Sequence, residues 1–167
     1  HCVSLGMQTS RRQAEISDIV ASAGISVVAL PHTNLFLQGR GHAPMPRGLT
    51  AVAALRAAGV VVAAGADNLQ DPFNPVGRAC PFETAALMVW TTHLLPSQAW
   101  ECVTDGAAAA AGFGAATIAA GQSADLLAVR AGSLREAIGF GPVDRIVWRA
   151  GQRQDHPERG IYRHGEQ

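Results

Sequence analysis

The 167-residue sequence lacks the features that mark several common classes of protein. Basic and acidic residues balance at 13 each, so net charge gives no indication of nucleic acid or an anionic membrane as a partner. No apolar run approaches the roughly 20 residues of a membrane span, and no signal peptide is visible. We therefore expect no membrane or nucleic-acid partner, and a cytoplasmic location.

Cysteine is also scarce. Cys2, Cys80 and Cys102 lie far apart and are odd in number. This pattern favours buried free thiols in a reducing compartment over a disulfide framework or a thiolate metal site. The sequence contains neither an HExxH pair nor a GxGxxG or Walker-type phosphate loop after a strand, which leaves little support for an α/β nucleotide-binding module.

What the sequence does contain is an alternation of helix and strand patterns. Apolar residues at helical spacing predict one helix over residues 11–23 and a second between residues 50 and 59. Strands are predicted over residues 25–30 and 60–64. The polar segment 31–48 is predicted to be a loop, and loops of this length are often functional. Helices that alternate with strands predict right-handed βαβ units and a parallel sheet.

The later part of the chain adds helices and then a change of pattern. A third long helix is predicted over residues 81–94, followed by two short ones. Four hydroxyl residues are predicted as helix caps: Ser10, Thr50, Ser97 and Thr104. From residue 119, predicted strands over 126–129 and 143–148 indicate a small separate sheet, with a turn over 150–152.

The strand over residues 60–64 leads into the best candidate for chemistry. Its continuous apolar run suits a parallel strand that is covered on both faces. Asp67 and Asn68 follow it, where α/β enzymes place their ligands. The structural alternative is that these two residues merely form an Asx-type turn that ends the strand.

Three motifs carry a resemblance to a known family. They are LFLQGR at residues 35–40, RGLT at 47–50 and GADNLQDPF at 65–73. Together they resemble the cytosine deaminase branch of the amidohydrolase superfamily, which includes bacterial cytosine deaminases and amidohydrolases of triazine rings. The segment AGQSADL at 120–126 is similar to the superfamily's usual entry into a small β-sandwich.

The resemblance implies an α/β fold, the C-terminal portion of a metal-dependent (β/α)8 barrel plus strands of a small β-sandwich. Residues 1–118 would span the end of barrel strand six to strand eight with the helices that follow. Residues 119–154 would form the sandwich strands, and residues 155–167 a charged, frayed tail. Because a barrel needs eight βα units in about 250 residues, we expect this chain, which begins at His1, to be a fragment or a processed half.

The resemblance also assigns site residues. Asp67 matches the aspartate that ligates the metal and accepts a proton from the attacking water, and His1 matches a histidine beside that water and the substrate. Asn68 lies where cytosine deaminases carry a second acidic residue near the substrate, which leaves the substrate open. Phe73 matches an aromatic wall of the substrate pocket. Gln38 and Arg40 are expected to serve packing and subunit contacts.

The implied function is hydrolysis of C–N bonds through a metal-activated water, deaminating or N-dealkylating a flat pyrimidine- or triazine-like heterocycle. The cofactor would be a divalent ion, Zn²⁺ or Fe²⁺, which mixed imidazole and carboxylate sites do not distinguish. The family's HxH pair, its further histidine ligand and its catalytic glutamate are not in this sequence. Implied partners are therefore the N-terminal half of the same protein, a heterocyclic substrate and further copies in a homo-oligomer. The alternative is a catalytically incompetent fragment or homologue with a role in assembly.

Among the remaining histidines, His93 is predicted to be a structural residue at a helix end, and His32 is a candidate for contact with the pocket. His156 and His164 are predicted to be solvated.

Overall fold

The computed structural model describes residues 1–114, 117–142 and 144–154 and shows a mixed α/β fold. Its helices are α1 (Val3–Gly6), α2 (Ser10–Ser22), α3 (Pro31–Leu37), α4 (Val52–Ala57), α5 (Pro81–Thr92), α6 (Pro96–Val103), α7 (Asp105–Ala110) and α8 (Leu134–Phe140). Its strands are β1 (Val27–Ala29), β2 (Val62–Ala64), β3 (Leu126–Val129), β4 (Arg145–Arg149) and β5 (Gln152–Gln154).

Within the described ranges, no helix combines the length and the apolar character needed to cross a membrane. The predicted tail over 155–167, with His156 and His164, lies outside those ranges.

Strands β1 and β2 form a parallel sheet. Val27 pairs with Val62 and Ala29 with Ala64, and the Gly65 N–H donates to the Ala29 carbonyl at 3.0 Å. All three residues of β2 are buried, as expected for a parallel strand covered on both faces. The parallel pairing predicted from the alternation of helices and strands is therefore confirmed.

The core lies around α4, which packs against α2 and β2. Leu55 of α4 and Met88 of α5 are fully buried, and burial of such side chains stabilises the fold by roughly 1.5–3 kcal/mol each. Helix α2 matches its predicted apolar face only in part. Its Ser17 is fully buried, whereas Ile19 is 65% exposed.

A second sheet contains β3, β4 and β5 in antiparallel order, with Leu126 opposite Trp148. Helix α8, between β3 and β4, packs on α5 and α6. Between those two helices, Phe82 stacks on Trp100 with ring centroids 4.8 Å apart. The predicted small sheet is confirmed, whereas the domain boundary after residue 118 stays a prediction.

The prediction of a loop throughout residues 31–48 is wrong, because this segment begins with helix α3. Pro31 occupies the first turn, where its missing N–H removes no intrahelical hydrogen bond. The helix therefore follows β1 directly and carries residues 33 and 34 to the carboxyl end of the sheet.

The rest of that segment folds back on itself. Gly48 has a φ of +61°, and a Cβ there would lie 2.1 Å from the Gln38 Cβ, so only glycine fits. The Arg40 guanidinium lies 4.2 Å from the centroid of the Phe36 ring. In this structure, Gln38 and Arg40 thus make local packing contacts.

Thr104 occupies the N-cap position of α7, as predicted, but its side chain makes no capping bond. Three other hydroxyl residues predicted as caps do not occupy the N-cap position: Ser10, Thr50 and Ser97. Thr9 caps α2 instead, and its hydroxyl accepts from the Arg12 N–H at 3.3 Å. At α6, the Gln98 side chain accepts from the Leu95 N–H at 3.0 Å. Helices α2, α4 and α6 thus begin one or two residues away from the predicted start, the usual uncertainty of helix ends.

Helix α8 was not predicted, although its start carries a recognisable signal. The Ser133 hydroxyl accepts from the Glu136 N–H at 3.1 Å, and the Glu136 carboxylate accepts from the Gly132 N–H at 2.8 Å. A serine followed three residues later by glutamate is a common helix start. Helix α1 and strand β5 were also missed, and the turn predicted over 150–152 is shorter because β5 begins at Gln152.

The three cysteines are free, as predicted, but only Cys102 is buried. Cys80 is partly buried and Cys2 is exposed, so the prediction that all three thiols are buried is wrong.

Candidate active site

The candidate site lies at the carboxyl ends of the two parallel strands. Asp67 and Asn68 follow β2, and the first turn of α3, with Thr33 and Asn34, follows β1. His1, the first residue of this sequence, also lies at this edge of the sheet. Parallel strands direct their carboxyl ends to the same side of a sheet, which explains why segments distant in sequence meet here.

Asp67 and His1 face each other. The Asp67 Oδ2 lies 3.8 Å from the His1 Nε2, and the two side chains are 30% and 50% exposed. Asp67 also has a φ of +64°, in the left-handed region that non-glycine residues rarely adopt. Such a conformation costs on the order of 1–3 kcal/mol and persists where the surrounding structure enforces it. The carboxylate is thus held open to solvent beside an imidazole.

His1 is held at two points. Its Nδ1 lies 3.0 Å from the Oδ1 of Asn34, a residue that is only 2% exposed. Its carbonyl accepts a hydrogen bond from the hydroxyl of Thr50. Thr50, predicted as a helix cap, therefore positions the backbone of the candidate catalytic histidine.

Asn68 is bound to protein groups on both sides of its amide. Its Nδ2 donates to the Asp71 Oδ2 at 2.6 Å, and its Oδ1 accepts from the Thr33 hydroxyl at 3.4 Å. Its backbone N–H donates to the same hydroxyl at 3.4 Å, and its carbonyl accepts from the Asn74 Nδ2 at 3.1 Å. In this structure the Asn68 side chain thus fixes the loop after β2, and its predicted contact with substrate stays a prediction.

The Asx-type turn lies at Asp71 rather than at Asp67. The Asp71 Oδ1 accepts from the backbone N–H groups of Phe73 at 2.9 Å and Asn74 at 3.0 Å. The hydrogen bond from the Asn68 amide, helped by those two N–H groups, holds the pKa of Asp71 below its ordinary value. Asp71 is therefore an anion that organises the loop, a role the sequence did not assign.

Phe73 lies in that loop with its side chain 55% exposed, so it is not covered by the described part of the chain. Its predicted role as an aromatic wall stays a prediction.

His32 is buried beside Glu83 of α5, and its predicted contact with the pocket stays a prediction. Its side chain is 8% exposed, and its Nε2 lies 3.6 Å from the Glu83 Oε2 of α5. Burial lowers the pKa of His32, and the nearby Glu83 carboxylate partly opposes this shift. His93 has a φ of +60° at the end of α5, which confirms that it is a helix-terminal residue.

The side chains at this edge supply some of the donors that a metal ion needs. A carboxylate and an imidazole nitrogen 3.8 Å apart, both open to solvent, are ligand types that suit Zn²⁺ or Fe²⁺. Over residues 1–114, 117–142 and 144–154, however, no group of three or more His, Cys, Asp or Glu side chains is arranged to bind a metal. The described residues thus fit part of a metal site.

Sequence comparison places this arrangement in a family. The profile of the Amidohydrolase family matches residues 1–153, and the chain belongs to that family. The resemblance carried by the LFLQGR and GADNLQDPF motifs is therefore confirmed.

Individual relatives agree with this assignment. The chain is 38% identical over 157 residues to a pterin deaminase of Rhizobium rhizogenes (strain K84 / ATCC BAA-868). Among solved structures, it is similar to the 5-methylcytosine deaminase of Klebsiella pneumoniae liganded with 5-fluorocytosine, with a TM-score of 0.84 and 26% identity over 95% of this chain. It is also similar to the N-isopropylammelide isopropylaminohydrolase of Burkholderia multivorans ATCC 17616, with a TM-score of 0.73 and 32% identity over 89% of this chain.

The chain spans only part of each relative. The match covers 91% of this chain and 36% of the pterin deaminase. It covers 40% of the 5-methylcytosine deaminase and 36% of the N-isopropylammelide isopropylaminohydrolase.

Proposed function

We propose that this chain, together with the N-terminal half of the same protein, is a metal-dependent aminohydrolase. It would form the C-terminal portion of a (β/α)8 barrel and hydrolyse a C–N bond of a flat pyrimidine-, pterin- or triazine-like heterocycle. The observation that carries the proposal is the Asp67 carboxylate, which lies at the end of a buried parallel strand and 3.8 Å from the His1 imidazole. The family and its named deaminases support it.

Asp67 would hold the cofactor, a Zn²⁺ or Fe²⁺ ion, with ligands from the N-terminal half. When bound, such an ion lowers the pKa of a coordinated water toward neutrality and so supplies a nucleophile. The carboxylate of Asp67 would also accept the proton that the attacking water loses, because it would hold the ion that binds this water and is open to solvent.

His1 completes the proton path. The water oxygen forms a bond to the ring carbon, and the bond from that carbon to the exocyclic nitrogen breaks. The proton lost by the water reaches the departing nitrogen through Asp67 and His1, so that ammonia or an amine leaves and the hydroxyl remains on the ring. A proton relay by positioned side chains contributes about 10²–10⁴-fold to rate.

Phe73 and Asn68 would contact the substrate. The exposed Phe73 ring offers an aromatic face on which a flat heterocycle can stack. Asn68 carries an uncharged amide at the position where cytosine deaminases carry an acid, so cytosine is only one member of the substrate class to be tested.

The test is a panel of pterin, cytosine, 5-methylcytosine and N-isopropylammelide, incubated with the protein that includes the N-terminal half. We expect release of ammonia or isopropylamine from at least one compound. Asp67→Asn should lower kcat/KM about 10²–10⁴-fold, whereas Asp18→Asn, at an exposed position of α2, should not. Release that is unaffected by Asp67→Asn would contradict the assignment.

A second candidate function is a role in assembly without catalysis. It is favoured by the finding that the described residues offer no three-ligand metal site. Turnover that depends on Asp67 would exclude it.

A further inference from the structure

Asn34 contacts the ring nitrogen of His1 that does not face Asp67. It belongs to the first turn of α3 and is 2% exposed. Its Oδ1 lies 3.0 Å from the His1 Nδ1, while its Nδ2 is buried without a hydrogen-bond partner among the described residues. Burial of an amide costs free energy that its hydrogen bonds must offset. For the Asn34 side chain, the hydrogen bond to His1 is what offsets this cost among the described residues.

The chemistry of that bond determines where the imidazole carries its proton. With the Asn34 amide oriented so that its Oδ1 faces His1, this oxygen accepts the hydrogen bond and the His1 Nδ1 carries the proton. In the neutral imidazole the other nitrogen, Nε2, then has a free lone pair. Nε2 is the atom that lies 3.8 Å from Asp67.

Thr33, the residue before Asn34, contacts the segment that carries Asp67. The Thr33 hydroxyl accepts from the Asn68 backbone N–H at 3.4 Å, next to Asp67 in sequence. Two consecutive buried residues of α3 therefore hold the two segments whose side chains face each other.

We propose that Asn34 is a positioning residue that fixes His1 in the Nδ1-protonated tautomer, so that Nε2 accepts a proton on the Asp67 side. The proposal rests on the function proposed above for His1 and Asp67. It goes further by assigning a residue without contact to the reacting atoms. In this arrangement His1 takes up a proton at Nε2 and then delivers it to the departing nitrogen, and Nδ1 keeps its proton throughout.

The first experiment compares two replacements of Asn34. Asn34→Leu removes the accepting oxygen at similar volume, and we expect kcat to fall about 10–100-fold, with KM changed less than about threefold. Asn34→Asp keeps an accepting oxygen at Nδ1 and should retain kcat within about tenfold. Ser17→Ala is the matched control, because Ser17 is also a buried residue whose polar atom has no partner in the described ranges. It should leave kcat unchanged.

The second measurement reads the tautomer directly. In Zn²⁺-loaded protein with ¹⁵N-labelled histidine, the His1 signals are identified by their loss in His1→Ala. We expect the wild-type proton on Nδ1, and loss of this preference in Asn34→Leu but not in Asn34→Asp. A wild-type proton on Nε2, or a tautomer unchanged by Asn34→Leu, would overturn the proposal whatever the kinetics show.

Combining variants separates this proposal from the proposed function. If Asn34 acts through His1, Asn34→Leu should have no further effect on kcat in the His1→Ala background. An equal loss in both backgrounds would mean a merely structural role and would overturn the positioning proposal alone. If His1→Ala itself leaves kcat unchanged, the role of His1 in the proposed function fails as well.

Discussion

The His1 Nε2 lies 3.8 Å from the Asp67 Oδ2, although His1 precedes α1 and Asp67 follows β2, with α2, β1, α3 and α4 between those two elements. Three local features produce this approach. The parallel pairing of β1 and β2 places Asp67 beside α3, Asn34 of α3 holds the His1 ring, and Thr50 holds the His1 carbonyl. The geometry of the pair is thus set by buried residues that do not themselves react.

The backbone of Asp67 gives a prediction about stability. Its φ of +64° is unfavourable for any side chain with a Cβ but not for glycine. Asp67→Gly should therefore be more stable than Asp67→Ala by about 1 kcal/mol, although both variants lose the carboxylate and turnover. Denaturant unfolding of the two variants measures the difference.

The matched control for this pair is Ala14→Gly, at an exposed position inside α2. There glycine should destabilise the protein by about 1 kcal/mol, the opposite sign. If Asp67→Ala proves at least as stable as Asp67→Gly, the left-handed conformation assigned to residue 67 is wrong.

The Asp71 carboxylate gives a prediction about pH. Hydrogen bonds from the Asn68 amide and from backbone N–H groups keep its pKa below the ordinary value of 3.8. When folding lowers the pKa of a carboxyl group, the group stabilises the protein at any pH above its pKa in the unfolded chain. This stabilisation is lost as the pH falls through the pKa of the group in the folded protein. Wild type should therefore be more stable than Asp71→Asn at pH 7, and the difference should shrink below about pH 4.

Urea unfolding of both proteins across that pH range checks this prediction. If wild type and Asp71→Asn differ in stability by the same amount at neutral and acid pH, the protein gains no stability from the ionised form of Asp71.

The exposed Phe73 ring gives a prediction about substrate binding. If a heterocycle stacks on it, Phe73→Ala should raise KM about 3–10-fold with little change in kcat, as expected for loss of an aromatic contact of about 0.5–1.5 kcal/mol. Phe113→Ala is the control, because Phe113 is also exposed and follows α7. Steady-state kinetics in which both variants raise KM alike would argue against a specific role for Phe73.

The sequence was most informative where local pattern and position agree. Asp67 follows a continuous apolar run, which is typical of a buried parallel strand. The pairing of β1 with β2 confirms this prediction. The GADNLQDPF motif covers the loop that carries Asp67, and Asp71 of the same motif organises that loop.

What the sequence did not reveal depends on tertiary contacts. Asn34 and Thr33 lie in a polar segment whose sequence is typical of a loop. In the structure both are buried in α3, which packs against α5. Thr50 carries the usual signal of a helix cap, but its hydroxyl bonds to the distant His1 carbonyl instead. Local propensity cannot distinguish these alternatives, because the competing partner lies far away in the chain.

Whether Asp67 holds a catalytic metal is decided by metal content measured beside turnover. Elemental analysis of the protein with its N-terminal half should find about one Zn or Fe per chain, the stoichiometry of a site with an open catalytic position. Asp67→Ala should lose both the metal and the release of ammonia or amine from the heterocycle panel. An Asp67→Ala protein that keeps its metal and its turnover would show that Asp67 is not the metal ligand.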